Sequence, residues 1–325
     1  MVKVRQSVFC PVLGTVLAAA ILFHLEAPTG ASGRGPAPDT TPLTLSAERL
    51  DDRVVARVND RTFTCYRFGA GQKYPYFYPV NGPVSGRSVT TESSLPYPHH
   101  RSLFFGCDRV NGGNYWQEGI DRGQIVSRGP RIAWNGPDYV LILDDCDWRQ
   151  PGANPVIVDH REIRIEAPTQ EVRVIDFAVV LTAQTEIRIE QTNHSLFSAR
   201  VEDELAVRAG GTLINAEGAT GEKGTFGARS PWCDYSGTRG GIVEGIALFD
   251  SPQNPWFPSR WFTRDYGFFS PTPMEWLDKD GLTLKQGENL RLRYRVVVHA
   301  GNARQANISR LFREWKDSQR TLEGR

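Results

Sequence analysis

The sequence predicts an all-β fold, a large antiparallel sandwich of two sheets that ends in one C-terminal helix. Apolar and polar residues alternate with a period of two in many segments, and clusters of Gly, Pro, Asn and Asp separate those segments. Only the last part of the chain has a helical period. A 325-residue chain with many such strands favours two sheets packed face to face over a closed barrel.

The first residues predict an export signal. Lys3 and Arg5 lie in a short basic start, and a largely apolar run follows from 8 to 25. Small residues come next, among them Ala31, which completes the order of a secretory signal peptide. We therefore expect a signal peptide over 1–31 and a secreted or periplasmic protein. The alternative is an uncleaved anchor, because an apolar run of about 18 residues is just long enough to span a bilayer.

The rest of the chain divides into a linker, a domain and a tail. Residues 32–45 are rich in Gly and Pro and predict a disordered linker. Residues 46–319 predict a single β-sandwich domain, and residues 320–325 a tail. The clearest strand patterns lie at 53–58, 162–166, 172–181, 185–191, 242–249 and 290–299.

The last predicted strand, 290–299, alternates most strongly. Arg291, Arg293 and Arg295 share one face, which predicts a solvated edge strand, with an anion-binding face as the alternative. The opposite face carries Leu290, Leu292, Tyr294, Val296 and Val298. The C-terminal helix is predicted over 302–319, because apolar residues there are spaced three or four apart. These residues are Ile308, Leu311, Phe312 and Trp315.

Charge and cysteine spacing exclude several classes of function. The net charge of +1 lacks the basic footprint of a nucleic-acid-binding protein. We expect a carbohydrate or other small-molecule partner, no nucleic acid, and no membrane apart from the signal segment. Four cysteines follow the signal, without the Cys-x-x-Cys spacing of a structural zinc site or a redox pair. Two disulfides and four buried free thiols are both compatible with this spacing.

Adjacent histidines mark the first candidate site. His99 and His100 are followed by Arg101, so that one turn holds two titratable rings and a fixed cation. Such a turn suits general acid/base catalysis or a metal, with a divalent ion such as zinc as the first candidate. His160, His194 and His299 could complete a metal site with His99 or His100, although no His-x-His or His-x-x-x-His spacing supports one. Structural histidines with hydrogen-bonded rings are the alternative.

Aromatic residues mixed with carboxylates and amides predict a sugar site. Sugar rings stack on Trp or Tyr, and carboxylates, amides and arginines bind the hydroxyls. Asp234 and Glu118 are the first candidates for a pair of catalytic carboxylates, and Tyr235 would assist. The candidate substrate-binding residues are Arg101, Asn111, Trp116, Glu118, Asn254, Trp261 and Arg264. The alternative is that these aromatic residues belong to the core.

The ordered motifs resemble the PmoA-like family of exported bacterial proteins. The matching motifs are Tyr78-Pro79-Val80 with Gly82-Pro83, Pro98-His99-His100-Arg101-Ser102-Leu103-Phe104-Phe105-Gly106, Val110-Asn111-Gly112 with Trp116, Trp232-Cys233-Asp234-Tyr235-Ser236-Gly237, Asp250-Ser251-Pro252 with Asn254, Trp261, Arg264 and Tyr266-Gly267, and Tyr294-Arg295 with His299-Ala300-Gly301. The resemblance implies a galactose-mutarotase-like supersandwich and a role with carbohydrates. A membrane methane monooxygenase, which the family name suggests, would need several apolar spans that the mature chain does not contain.

These observations predict an extracytoplasmic carbohydrate-active enzyme, a hydrolase or lyase that acts on a glycoside or an oxidised sugar. His99 or His100 would be the acid/base, with Asp234 and Tyr235 assisting. The first alternative is a non-catalytic glycan-binding module, which needs the aromatic residues but no acid/base histidine. The second is a structural envelope protein held by disulfides, which predicts no ligand.

Overall fold

A computed structural model describes residues 43–117 and 119–323 of the chain. The predicted signal peptide, most of the predicted linker and Glu118 lie outside the described residues. The described residues all belong to one compact unit. None of the helices in this part of the chain is long and apolar enough to cross a membrane.

Strands dominate the described part of the chain. They are β1 (Leu45–Arg49), β2 (Arg53–Val58), β3 (Arg61–Arg67), β4 (Tyr76–Val80), β5 (Leu103–Gly106), β6 (Gln124–Ser127), β7 (Arg131–Asn135), β8 (Tyr139–Arg149), β9 (Ile157–Thr169), β10 (Val172–Ala183), β11 (Ile187–Ile189), β12 (Leu196–Arg200), β13 (Thr212–Asn215), β14 (Trp232–Arg239), β15 (Ile242–Asp250), β16 (Trp261–Thr263), β17 (Phe268–Pro271), β18 (Leu282–Leu284) and β19 (Asn289–Ala300). The α-helices are α1 (Gly221–Thr225) and α2 (Ile308–Glu323). Short 3-10 helices span Ile120–Arg122, Asp203–Leu205, Val207–Ala209 and Met274–Trp276.

Two large sheets form the body of the molecule. The first has eight strands in the order β1-β2-β3-β4-β5-β12-β17-β16. The second has nine, in the order β13-β14-β15-β19-β10-β9-β8-β6, with β7 paired to β8. Every named pairing is antiparallel. The predicted all-β class, with large antiparallel sheets and a C-terminal helix, is confirmed.

Strand β19 shows how the alternating pattern is used. The five apolar residues predicted on one face are all buried, and Arg291 and Arg293 are exposed on the other. The strand lies between β15 and β10, so the prediction of an edge strand is wrong. On the charged face, Arg295 makes a bidentate ion pair with Asp176 of β10, with both N–O distances at 2.6 Å. The arginine face of β19 is therefore exposed to solvent at Arg291 and Arg293 and ion-paired within the sheet at Arg295.

Helix α2 covers part of the outer face of the nine-stranded sheet. Ile308, Phe312 and Trp315 are buried there in a small second core. Their partners in the sheet include Trp232, Ala247, Phe249 and Val297. Burying each large apolar side chain stabilises the fold by about 1.5–3 kcal/mol. The helix begins at Ile308 instead of 302, because residues 303–307 form turns, and it continues past the predicted domain end at 319.

The four cysteines after the signal are buried and free. Cys65, Cys107, Cys146 and Cys233 are each in the thiol form and are covered by other residues. Of the two arrangements compatible with the sequence, the structure has four free thiols.

Candidate functional site

The candidate site lies on the outer face of the eight-stranded sheet. Phe268 and Phe269 are neighbours in β17, so their rings point to opposite faces. Phe269 contacts Tyr235 of the nine-stranded sheet, with 5.3 Å between ring centroids, and thus faces the core. Phe268 contacts His100 at 4.3 Å on the other face. The histidine cluster, which we define as His99, His100 and His194, is therefore on the side away from the nine-stranded sheet.

His100 is the most enclosed member of the histidine cluster, with an exposed fraction of 1%. Its ring is stacked on Tyr97 at 5.1 Å and on Trp116 at 5.8 Å. Neither ring nitrogen has a hydrogen-bond partner among the described residues. A buried polar atom without a partner lowers the free energy of unfolding by about 1–3 kcal/mol. This arrangement therefore does not serve the stability of the fold and points to a role in function.

The sequence offers His194 only as one of three histidines that could complete a metal site. It lies just before β12, and its ring packs edge-on against Trp116 at 4.1 Å and stacks on Phe262 at 4.3 Å. Its Nδ1 atom is buried and has no partner among the described residues. His99 is half-buried and packs edge-on against His100 at 4.5 Å.

Burial keeps these rings neutral. It lowers the pKa of His100 from its ordinary value of 6.5 to about 2, and the charges that His99 and His194 would carry if protonated, together with that of Arg200, act in the same direction. Burial, with smaller contributions from His99 and Arg264, lowers the pKa of His194 to about 3. The pKa of His99 is also lowered by burial. A neutral imidazole has one nitrogen that donates and one that accepts a hydrogen bond.

The loop that carries His99 and His100 is fixed at both ends. Tyr74 donates its hydroxyl proton to the His99 carbonyl oxygen at 2.6 Å. At the other end, Ser102 adopts a φ of 56° and its hydroxyl is hydrogen-bonded to that of Thr90 at 2.7 Å. These contacts hold the two imidazoles in place before any ligand arrives.

A buried carboxylate joins two segments that carry site residues. Asp108 accepts hydrogen bonds from the hydroxyls of Thr192 and Ser195, at 2.8 and 2.9 Å, on either side of His194. It also accepts one from the Gln117 side chain at 2.9 Å, next to Trp116. Burial raises the pKa of Asp108, although the Thr192 and Ser195 hydrogen bonds oppose that rise. Asp108 is thus a positioning residue for both rings.

Arg264 supplies a cation at the edge of the cluster. Its guanidinium carbon lies 4.0 Å from the ring centroid of Phe262 and 4.6 Å from that of Phe226. It is ion-paired with Glu222 at 3.2 Å and remains 27% exposed. The Tyr235 hydroxyl donates a hydrogen bond to the Arg264 carbonyl oxygen. Tyr235 therefore supports the backbone of Arg264 from the core side.

Comparison with known proteins places the chain in a family. Residues 53–313 match the model described as "Family of unknown function (DUF6807)". The chain belongs to this family. The PmoA-like resemblance remains a prediction. No curated protein matches the chain.

Two solved structures show a distant similarity to this member of the family. One is a proposed aldose 1-epimerase from Escherichia coli K12, with 11% identity and a TM-score of 0.33, over 80% of this chain and 99% of that one. The other is galactose 1-epimerase from Lactobacillus acidophilus NCFM, with 9% identity and a TM-score of 0.41, over 79% of this chain and 98% of that one. Similarity at this level carries no conclusion about activity.

Asp234 is separated from the other predicted catalytic residues. It is fully buried, and its Oδ2 atom is 2.6 Å from Nε2 of His299. Asp234 pairs with Ala247, which belongs to the small core under helix α2, whereas Tyr235 faces the core between the sheets. The predicted grouping of Asp234 with His99, His100 and Tyr235 does not occur in the fold, because neighbours on a strand face opposite ways.

Several predicted sugar ligands are engaged elsewhere. Asn111 donates to the Glu186 carbonyl oxygen at 2.9 Å, and its side-chain oxygen accepts from the Arg188 amide at 2.7 Å. Asn254 likewise donates a hydrogen bond to the Arg293 carbonyl oxygen and accepts one from the Arg293 amide.

Of the remaining candidates, Trp116 lies in the site. Trp261 is fully buried and donates its indole proton to the Ser230 carbonyl oxygen at 2.8 Å. The guanidinium carbon of Arg101 lies over the ring of Tyr76, 5.6 Å from its centroid. Glu118 is outside the described residues.

The fold thus brings four predicted residues, His99, His100, Trp116 and Arg264, around His194, which is not among the predicted catalytic or substrate-binding residues. Within residues 43–117 and 119–323, no group of three or more His, Cys, Asp or Glu side chains is arranged to hold a metal ion. The three histidines pack ring against ring.

Proposed function

We propose that the protein is an exported carbohydrate-active enzyme of the lyase type, acting on a sugar ring that carries a carbonyl or carboxyl group. The observation that supports this proposal most is the ring of His100, which is enclosed by aromatic residues while both its nitrogens lack partners in the part of the chain that the structure describes. A ligand that displaces the 38%-exposed Tyr97 from the His100 ring would supply those partners through hydroxyl or carbonyl groups.

Sugars fit the chemistry of this site. The apolar C–H faces of a sugar ring stack on aromatic side chains, and a few fixed polar groups select its hydroxyls. Trp116, Tyr97 and Phe262 provide the aromatic walls around the histidine cluster. His100 and His194, held neutral by burial, can each donate one hydrogen bond and accept another.

A lyase reaction fits better than hydrolysis by paired carboxylates. Hydrolysis of a glycosidic bond usually requires two carboxyl groups that flank the bond. Among the described residues, the ion pairs between a histidine and a carboxylate are His160 with Asp145 and His299 with Asp234, and neither involves the cluster. Proton transfer by imidazole is the chemistry that the cluster offers instead.

The proposed reaction is a β-elimination. His99, which is half-buried and reachable, takes the proton from the carbon next to the carbonyl or carboxyl group. The electrons of that C–H bond form a C=C bond, and the C–O bond at the β position breaks. The imidazolium then returns its proton to the leaving oxygen, so that no oxidant or reductant is consumed. The cation of Arg264 would stabilise the negative charge that develops on the carbonyl or carboxyl oxygens.

A glycan-binding module without catalysis is the second candidate. One specific observation favours it, namely that the pKa values of His100 and His194 are so low that both rings would act as hydrogen-bonding groups and not as proton carriers. Under this proposal His99 would have no catalytic role.

Ligand-dependent unfolding and turnover separate the two candidates. The purified protein, H99Q, H100F and the control H160Q would be heated with a panel of neutral, keto and uronic sugars and glycosides. His160 is a suitable control because it lies at the surface, paired with Asp145. A ligand at about 100 times its Kd adds about 2.7 kcal/mol to the stability of wild type and H160Q.

For a lyase, H99Q keeps that stabilisation and loses roughly 100-fold or more in formation of unsaturated product. Binding without product for every sugar would support the binding module. Full turnover by H99Q would contradict the proposed role of His99.

A further inference from the structure

A second cleft lies beside the histidine cluster. Its volume is about 520 Å3, in the range of small-molecule sites. The residues that give it chemical character are Arg229, Arg260, Trp256, Trp276, Glu275 and Gln191. We call it the Trp276 cleft. None of these residues is among the candidate substrate-binding residues predicted from the sequence.

An unbroken series of aromatic contacts joins the cleft to the cluster. Phe262, which stacks on His194, contacts Phe226 at 5.4 Å, and Phe226 contacts Trp276 at 5.7 Å. Phe226 is 37% exposed, which is unusual for a large apolar ring. The guanidinium of Arg264 lies over Phe226 and Phe262 together. The cleft and the histidine cluster therefore lie at the two ends of one series of packed aromatic rings.

The two arginines of the cleft are available for an anion. Arg260 donates from Nη1 to the Gly227 carbonyl oxygen at 2.8 Å and lies over the ring of Trp276 at 5.7 Å. Arg229 donates from Nη1 to the carbonyl oxygens of Trp256 and Pro258. No ion pair joins either guanidinium to a carboxylate in the described part of the chain. A guanidinium has five N–H donors, so each retains donors for a carboxylate.

We propose that the Trp276 cleft binds a uronic acid unit of an oligosaccharide whose adjoining unit occupies the histidine cluster. The inference rests on the proposed function and names its substrate class. A sugar ring would stack on Trp276, and Arg260 with Arg229 would hold its carboxylate. Glu275 and Asp278 also line the cleft and would accept hydrogen bonds from ring hydroxyls.

Titration calorimetry with acidic and neutral disaccharides tests this inference. The probes are digalacturonate and diglucuronate, with the neutral disaccharides of matching linkage and the single uronic acids. The variants are R260Q, R260K and W276A. R291Q is the control, because it removes one positive charge, as R260Q does, from an exposed position on the opposite sheet. Thermal unfolding of each variant checks that it is folded.

Wild type and R291Q should bind an acidic disaccharide more tightly than its neutral counterpart. R260Q should weaken that binding roughly tenfold or more, because a charged hydrogen bond is lost, and R260K should lose less. R260Q and R260K should bind a neutral disaccharide as wild type does, because no carboxylate of that ligand pairs with Arg260.

The two proposals fail in different ways. Equal affinity of wild type for acidic and neutral disaccharides, or unchanged binding by R260Q and W276A, would overturn the cleft as a uronate site while leaving the histidine cluster in place. If R260Q loses the acidic disaccharide but H99Q and H100F keep full binding and turnover, the cleft stands and the proposed function fails. No binding of any sugar by wild type overturns both.

Discussion

The imidazole of His100 lies nearly parallel to the indole of Trp116, with 5.8 Å between ring centroids and 12° between the planes. Both nitrogens of this imidazole are buried and have no hydrogen-bond partner within residues 43–117 and 119–323, and Phe268 and Tyr97 enclose the ring as they would an apolar ring. A polar ring in an apolar enclosure lowers the stability of the free protein. A ligand that forms hydrogen bonds with the two His100 nitrogens would offset this loss of stability.

Replacing His100 by Phe should stabilise the free protein and abolish sugar binding. Phe keeps an aromatic ring, of slightly larger volume, and removes two buried polar atoms that lack partners among the described residues, so the free energy of unfolding should rise by about 1–3 kcal/mol. Urea unfolding measures this change, with H160Q as the control that should unfold like wild type. A loss of stability of similar size would mean that the imidazole nitrogens have partners in solution.

The stability of the protein should fall in mild acid because of the cluster. The pKa values of His100 and His194 are about 2 and 3 in the fold, and 6.5 is their ordinary value. Below pH 6.5 the unfolded chain therefore binds more protons, and stability falls as the pH falls. Above pH 6.5 both states are neutral at these rings, and the contribution is constant.

Comparison of wild type with H100F isolates this effect. Each ring contributes about 1.4 kcal/mol for each pH unit below 6.5. The difference in the free energy of unfolding between the two proteins should change by that amount per unit from pH 6.5 to 5, because all other groups cancel. A difference that is independent of pH would show that His100 is not buried as described.

Removal of the Asp108 carboxylate should make the positions of Trp116 and His194 less fixed, although Asp108 itself does not contact the proposed ligand. D108A leaves the hydroxyls of Thr192 and Ser195 and the Gln117 amide without their acceptor, which should destabilise the fold by about 1–3 kcal/mol. D108N retains an acceptor and should lose less. In the ligand assays, KM for the sugar should rise while the pH profile of kcat stays unchanged, as expected of a positioning residue. An altered pH profile would indicate direct proton transfer by Asp108.

The faces of single elements could be predicted from the sequence, because a strand or helix imposes its own period. The buried and exposed residues of β19 and the apolar face of α2 follow that rule. The strand period also places Asp234 and Tyr235 on opposite faces of β14, although the local composition predicts one shared site for the two. The period of a strand was therefore the better guide to that pair.

The partners of the cluster could not be predicted, because they are brought together by sheet pairing. His194 has no motif of its own, and its ring contacts those of His100 and Phe268, which lie far from it in the sequence. The edge position of β19 was likewise mispredicted, because its neighbours in the sheet are distant in sequence. Side-chain contacts between strands that are distant in sequence depend on which strands pair and in which register, and a single sequence does not show either.

The four buried cysteines should remain thiols in the isolated protein. Burial raises the pKa of Cys107, Cys146 and Cys233, and each is covered by its neighbours. A maleimide reagent should label none of the four in the native protein and all four after denaturation without reductant. Labelling of none in the denatured protein would indicate disulfides, in agreement with the structural-protein alternative.

Asp234 should contribute to stability and not to turnover. Its carboxylate and the His299 ring are both fully buried, and removal of one partner of a buried ion pair costs about 3–5 kcal/mol. The charge and hydrogen bond of Asp234 raise the pKa of His299 against the effect of burial. The pair therefore stabilises the fold below pH 6.5, and this contribution is lost as the pH rises through the folded pKa of His299.

The D234N variant tests this assignment. It should unfold at lower urea concentration, with a deficit that is largest in mild acid, while the folded fraction binds and converts sugar as wild type does. H299Q should show the same deficit, and the double variant should be less destabilised than the two single losses added, because the residues form one unit. A fully folded D234N that binds sugar but has lost turnover would place Asp234 in the catalytic machinery after all, with His299 as its partner.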